Sequence, residues 1–161
     1  MIRKHKKYSK PRKPFEKKRI EEENILVEKY GLKSKREIWK AEAAVGKMRE
    51  RAKNLIRSSE EEKQRFFDKL KKVGFVVSSI ADVLALTKED YLNRRLQTIV
   101  YRRSLSSSAK GARQMITHKN VLVDGGVVSS PSYIVPIDLE EKIKLKRVYV
   151  SNPKVKEVQN E

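Results

Sequence analysis

The sequence predicts an α+β fold: a helical N-terminal region followed by a small α-α-β-hairpin domain with a short antiparallel sheet. Between residues 20 and 84, apolar side chains recur every three or four positions, the spacing of one helix face. Later, two β-rich runs flank Asp124-Gly125-Gly126, a sequence typical of a tight hairpin turn. The pattern changes near Thr87. We therefore expect an arm at 1–19, a helical domain at 20–86, an α+β domain at 87–150 and a flexible tail at 151–161.

The first segment is a basic arm. Residues 1–19 contain ten basic residues and one acid, Glu16. Pro11 and Pro14 discourage a helix, and little in this segment could enter a core. We expect the arm to be disordered when free and ordered on a partner, with a merely solubilising tail as the alternative.

The next segment contains helices with recognisable ends. A first helix is predicted from Ile20 to Tyr30, ended by Gly31. Ser34 is a candidate N-cap for a second helix, with Glu37 as its capping-box partner. The second helix has one apolar face, formed by Ile38, Ala41, Val45, Met48, Ala52 and Leu55. Further helices are predicted from about Glu60 to Lys72, ending at Gly74, and from Ser79 to Leu84.

The α+β domain is predicted to begin with two helices. One runs from about Lys88 to Arg103 and the other from about Ser108 to Lys119, each with an apolar face. The hairpin around Asp124-Gly125-Gly126 follows, and Lys142 to Val150 is predicted as a third strand because apolar residues alternate with lysines. Residues 151–161 are polar and are expected to be loose.

Net charge narrows the function. The chain carries 39 Lys and Arg against 21 Asp and Glu, a formal net charge of +18. Such a short basic chain favours a polyanionic partner, above all nucleic acid, because each phosphate contact releases counterions. The sequence has no run long and apolar enough to span a bilayer and no apolar signal stretch, so we expect no membrane partner and a cytoplasmic location.

Catalytic and metal-binding patterns are lacking in the sequence. The chain has no cysteine, and His5 and His118 have no metal-ligand spacing with another donor. Neither a Gly-x-Ser-x-Gly turn nor a phosphate-binding loop is found. We therefore expect no catalytic residue, no metal, no cofactor and no enzyme activity.

Candidate RNA-binding residues lie on the polar faces of the predicted helices and in the arm. Arginine binds phosphate oxygens bidentately, while Ser, Thr and Gln reach ribose and base edges. A solvated surface is the alternative for any single residue. On the two helices of the α+β domain the candidates are Arg94, Arg95, Arg102, Arg103, Ser107, Ser108, Lys110, Arg113, Gln114, Thr117, His118 and Lys119. The second helix adds the ridge Arg36, Lys40, Lys47 and Arg51, and the arm adds Arg3, Lys4, Lys6 and Lys7.

Four segments of the α+β domain resemble a known family. Residues 95–102, 108–118 and 121–125 resemble, in order and spacing, the S-four RNA-binding domain, and residues 128–135 resemble its loop into the last strand. This domain also occurs in pseudouridine synthases, aminoacyl-tRNA synthetases and a heat-shock protein. Residues 30–42 decide among these, because they resemble the N-terminal region of small-subunit ribosomal protein four in its archaeal and eukaryotic branch.

The resemblance implies a specific role. Members of this family bind small-subunit rRNA early in assembly at a helix junction of the 5′ domain, organise the subunit body, and influence decoding accuracy. They neighbour small-subunit protein five and the path by which mRNA enters. Some bacterial members hold zinc through cysteines, which this chain lacks. Two alternatives are an RNA-modifying enzyme, for which residues 1–84 are too helical and basic, and a general nucleic-acid binder.

Overall fold

The computed structural model describes residues 6–146. Within them it confirms the predicted α+β class, with a helix-rich N-terminal region followed by a small three-stranded antiparallel sheet. The predicted tail at 151–161, the end of the predicted third strand, and the candidates Arg3 and Lys4 lie outside the described residues.

The N-terminal region consists of helices joined by short turns, close to the predicted bounds. In chain order these are α1 (Lys17–Lys29), α2 (Arg36–Asn54), a 3-10 turn (Leu55–Arg57), α3 (Glu60–Val73) and α4 (Ile80–Ala85). The predicted apolar face of α2 is confirmed: its first half packs with α1, while Val45 and Ala52 join a core formed with α3 and α4. Gly31 and Gly74, which follow α1 and α3, both have positive φ, as expected for helix-ending glycines.

The prediction of a capping box at the start of α2 is wrong. The N-cap residue is Lys35, with no side-chain capping bond, and Ser34 lies one position earlier. Glu37 accepts a hydrogen bond from the backbone N–H of Lys33 at 3.2 Å. Its carboxylate oxygens also pair with two arginines of the following domain. Capping boxes do form elsewhere, at the starts of α4 and the next helix.

The second region is built from short helices around a small sheet. Its helices are α5 (Lys88–Asn93), α6 (Leu96–Arg102), α7 (Ala109–Thr117) and α8 (Ile137–Glu140), and its strands are β1 (Val121–Val123), β2 (Gly126–Val127) and β3 (Ile143–Leu145). All pairing is antiparallel, in the order β2-β1-β3. The predicted hairpin is confirmed, with Asp124 at φ 50° and Gly125 at φ 80°, as its two-residue turn requires.

The prediction of a single helix from Lys88 to Arg103 is wrong, because the helix is interrupted between α5 and α6. Arg95 is extended, with ψ at 143°, and forms an antiparallel bridge with Ile134. The N–H of Leu96 then donates to the carbonyl of Tyr133 at 2.7 Å. At this point, pairing with the loop after the hairpin therefore replaces the hydrogen bonds of a continuous helix.

The arm is more closely attached to the body than the sequence suggested. Helix α1 begins at Lys17, so the last three residues of the predicted arm are helical. Upstream, the Arg19 guanidinium donates to the carbonyls of Lys13 and Pro14 at 3.1 and 2.9 Å. The ring centroids of Tyr8 and Trp39 lie 5.9 Å apart. These contacts hold parts of the predicted arm against the body.

The two regions meet through buried polar contacts and a close backbone approach. The Nε2 of buried Gln97 lies 2.9 to 3.0 Å from the carbonyl oxygens of Tyr30, Gly31 and Ala109, which share its two N–H donors. Gly31 lies against the start of α7, where an added Cβ would come within 2.8 Å of the Ala109 carbonyl carbon. Glu37 pairs with Arg95 at 2.5 Å and with Arg113 at 2.9 Å.

Replacing Gly31 by Ala should destabilise the protein by about 3 kcal/mol, because a left-handed backbone conformation and a clash with α7 act together. Gly125→Ala is the matched control. It has the same sign of φ but open space around the missing Cβ, so it should cost only about 1 kcal/mol. Urea unfolding of both variants measures the difference, and equal losses would contradict a close contact at Gly31.

Replacing Glu37 by Gln should lower the free energy of unfolding at pH 7 by about 3 kcal/mol, because two largely buried arginines lose their counter-charge. Burial raises the pKa of Glu37, but hydrogen bonds from Arg113 and Arg95 outweigh it and hold the pKa below its ordinary 4.5. A depressed folded-state pKa gives stability that is present above the unfolded-state pKa and lost on further acidification.

The deficit of Glu37→Gln should therefore shrink as the pH falls below about 4.5. Glu42→Gln, an exposed change on the same helix, is the control and should leave stability nearly unchanged. Unfolding curves from pH 7 to pH 3 measure both effects, and a deficit that is independent of pH would disprove the ionic role of Glu37.

Candidate nucleic-acid interface

A groove of about 820 Å³ lies between α2 and the second region. Ala41 and Ala44 line it, and their small side chains leave space for a ligand between the charged residues. Pro131 and Ser132, from the loop after the hairpin, also line it. Its cationic lining residues are Lys7, Arg36, Lys40, Lys47, Arg95 and Arg113.

Positive charge in this groove is only partly neutralised. Glu37 is the one acidic residue among its lining residues in the described chain, and its pKa is lowered, so it is ionised at neutral pH. Its charge is shared by Arg95 and Arg113. Lys40 and Lys47, about one and three turns beyond Glu37 along α2, are exposed to solvent. The groove therefore offers arginines paired with Glu37 at one wall and exposed cations at the other, an arrangement suited to phosphate groups.

Arg94 and Arg95 differ from the sequence prediction that both project outward. The guanidinium of Arg94 donates to the carbonyls of Val73 and Val135, both at 2.8 Å, and pairs with Glu140 at 2.9 Å. Arg95 is 4% exposed and pairs with Glu37. The break between α5 and α6 turns both side chains inward. The Arg94 guanidinium is therefore occupied within the fold and does not belong to the exposed surface, whereas Arg95 forms part of the wall of the groove.

The exposed face of α7 carries a second set of candidates. Ser107, Gln114 and His118 line one shallow concavity with Gly111 and Asn120, on the side of α7 opposite its buried Ala112 and Ile116. The candidates Lys110 and Thr117 are exposed on the same helix. Polar groups that can donate and accept, placed in one shallow hollow, suit ribose and base edges better than phosphate alone.

Two predicted serine and threonine candidates already serve the helix. Ser108 is the N-cap of α7, and its hydroxyl accepts the N–H of Gly111 at 3.0 Å. The Thr117 hydroxyl donates within the helix, to the carbonyls of Arg113 and Gln114. Both side chains are exposed, but the Thr117 hydroxyl gives its proton to the helix, whereas the Ser108 hydroxyl only accepts in the cap and keeps its proton to donate.

Other candidates lie away from both concavities. Arg102 and Arg103 are exposed at the end of α6, where Arg103 donates to the carbonyl of Glu140. Arg51 lies over the ring of Phe66, 5.5 Å from its centroid. Lys119 is exposed at a positive φ just after α7, and Lys6 is exposed in the arm. The structure thus gathers one group of candidates in the groove and another on the exposed face of α7. The residues named in this paragraph remain separate positive charges.

Sequence reasoning missed several groups at the groove. Ser34 and Ser132 line it and supply hydroxyl groups beside the cations. Glu37 was considered only for capping, although it fixes two arginines of the groove. The serines flanking Pro131 gave a local signal for a turn near the site, but no local signal links Glu37 to residues far along the chain.

Within residues 6–146 no three or more His, Cys, Asp or Glu side chains are grouped to hold a metal ion. None of the helices in that range has the length and apolar character needed to cross a bilayer.

Comparison with protein families matches residues 94–140 to the S4 domain, inside the predicted bounds of the second region. Curated relatives extend the likeness to most of the chain. The small ribosomal subunit protein uS4 of Methanothermobacter thermautotrophicus is 41% identical over 160 residues, covering 96% of this chain and 92% of the relative. That of Nanoarchaeum equitans is 42% identical over 152 residues, covering 89% and 84%.

A third relative, the uS4 protein of Thermoplasma volcanium, is 43% identical over 148 residues, covering 86% of this chain and 74% of the relative. Identity at this level over 86% to 96% of this chain includes both the helical region and the S4 domain, as the sequence resemblance implied. The chain therefore belongs to the uS4 family of small ribosomal subunit proteins and, as predicted, it is not an enzyme.

Proposed function

We propose that the chain is a structural constituent of the small ribosomal subunit and acts by binding rRNA. The relatives named as small ribosomal subunit proteins support this role. The observation that carries it is the groove between α2 and the S4 domain, where six cationic residues surround a single carboxylate. Phosphate contacts at the exposed cations among them, Lys7, Arg36, Lys40 and Lys47, supply affinity through counterion release.

Selectivity comes from the fixed arrangement of the two regions. The groove and the α7 hollow lie on elements joined by Glu37, Gln97 and the close contact at Gly31. A rigid surface of this kind favours RNA whose backbone is folded to match it, because double-helical RNA is recognised mainly by shape. Gln114 and His118 then add contacts to ribose or base edges.

Following the family resemblance, the RNA is the 5′ domain of small-subunit rRNA at a helix junction. Binding there nucleates assembly of the subunit body and influences translational accuracy. The further partners are neighbouring small-subunit proteins, notably protein five, and mRNA near the path by which it enters. The location is the cytoplasm, in the small subunit. No cofactor and no membrane take part.

A general nucleic-acid binder would share the charge but lack the selectivity. Binding of the full chain to the purified 5′ domain should therefore survive excess tRNA and duplex DNA at near-physiological salt. Retention of the rRNA complex at competitor levels that remove a simple polycation supports the proposal. Displacement by either competitor would leave charge as the main source of binding and favour the general binder.

The double variant Lys40→Ala/Lys47→Ala should weaken rRNA binding and flatten its salt dependence. Each lost phosphate contact lowers the slope of log affinity against log salt by about 0.7 to 0.9. Both residues are exposed, so the fold should be unaffected. Titrations at several salt concentrations give affinity and slope together.

Arg65→Ala/Lys69→Ala is the control with the same charge change. Both residues are exposed on α3 and neither lines the groove. We expect a smaller loss of affinity and a salt slope close to that of the unchanged protein. If the two double variants behave alike, the groove is not the phosphate-binding site and net charge alone explains the binding.

A further inference from the structure

An exposed aromatic ring in the arm takes no part in the core. Phe15 is 93% exposed, between Pro14 and the N-cap of α1. The cost of exposing such a ring to water is recovered when a flat apolar partner covers it. Its neighbours in the chain that are exposed cations are Arg12, Lys13, Lys17 and Lys18.

The backbone that presents this ring is held to the body. Arg19 donates to the carbonyl of Pro14 at 2.9 Å and to that of Lys13 at 3.1 Å. The same guanidinium pairs with buried Glu23 at 2.6 Å, and Glu23 accepts the indole N–H of Trp39 at 2.9 Å. On the other side the N–H of Ile20 donates to the carbonyl of Glu16, which begins α1.

Glu23 is able to hold Arg19 throughout the neutral range. Burial raises the pKa of Glu23, but hydrogen bonds from Trp39 and Arg19 outweigh it and leave the pKa below its ordinary value. The groove beneath this part of the arm is lined by Lys13 and Glu16 but not by Phe15. The ring therefore stands on the outer side of an anchored turn, and the backbone that carries it is held in place before any ligand arrives.

We propose that Phe15 is a stacking platform for an unpaired base of the bound RNA, with the surrounding cations holding the adjoining phosphates. Aromatic rings among basic residues are the usual means of binding unpaired nucleotides, because every base has a π face. Charge selects nucleic acid over an apolar protein segment as the occupant, since a protein partner would have to bury several lysines and an arginine beside the ring. This inference deepens the proposed rRNA binding and rests on it.

The test is a series of substitutions at this one position, measured by binding of the full chain to the 5′ domain. Phe15→Ala should weaken binding about 5- to 100-fold, the range seen when a stacking ring is removed. The salt slope should stay unchanged, because no phosphate contact is lost. Phe15→Tyr keeps the ring and should keep the affinity, whereas Phe15→Leu keeps apolar area without a π face and should resemble Phe15→Ala.

Controls separate stacking from other effects. Val76→Ala removes a side chain that is 98% exposed on another surface and should leave RNA binding unchanged. A fully paired RNA duplex of similar length should show no loss with Phe15→Ala, because its bases are already stacked. Since Phe15 makes little contact with the core, thermal unfolding should be the same for all variants.

The outcomes distinguish this inference from the proposed function. If Phe15→Ala binds the 5′ domain normally, or if Phe15→Leu binds as well as the unchanged protein, stacking is overturned while selective rRNA binding stands. If the unchanged protein shows no preference for rRNA, yet Phe15→Ala loses affinity only for RNA with unpaired bases, stacking is supported and the ribosomal role fails.

Discussion

The arrangement of the two regions depends on the ion pairs that the carboxylate of Glu37 forms. It lies near the start of α2 and holds Arg95 and Arg113, which belong to the S4 domain. Without it, two largely buried guanidinium groups would face each other unpaired, and burial of an unpaired charge costs several kcal/mol. Because both arginines line the groove together with the exposed cations of α2, the contact that joins the regions also sets the spacing of charges in the candidate interface.

Other acidic residues also form ion pairs or helix caps within the fold. Glu23 anchors the arm through Arg19, Glu140 pairs with Arg94, and Asp82 and Asp90 complete helix caps. Hydrogen bonds from Ser78 and Ser79 lower the pKa of Asp82 to about 2. These carboxylates are occupied within the chain, so they do not neutralise the exposed lysines and arginines of the groove. The excess positive charge of the sequence therefore lies on exposed surface residues.

The sequence was a good guide wherever the cause of a structure is local. The apolar face of α2, the stop at Gly31 and the turn at Asp124-Gly125 depend on neighbouring residues, and all were predicted. The break at Arg95 was missed because it depends on pairing with Ile134, and the role of Glu37 was missed because its partners lie 58 and 76 positions away. The residue types of the site were predictable from the sequence. Which cations would face inward was not, because that depends on contacts with residues far along the chain.

A high positive charge alone attracts any nucleic acid, so selection among RNAs must come from where the charges are fixed. Here the cations of α2, the polar face of α7 and the ring of Phe15 are presented by three elements whose separations are set by internal contacts at Glu37, Gln97 and Arg19. A regular duplex offers phosphates at one repeating spacing and no free base. A folded junction brings several strands together and leaves bases unpaired, so it can satisfy the groove, the hollow and the ring at once. Under the proposed function, the internal ion pairs contribute to recognition without touching the RNA, by limiting the shapes that the protein can bind.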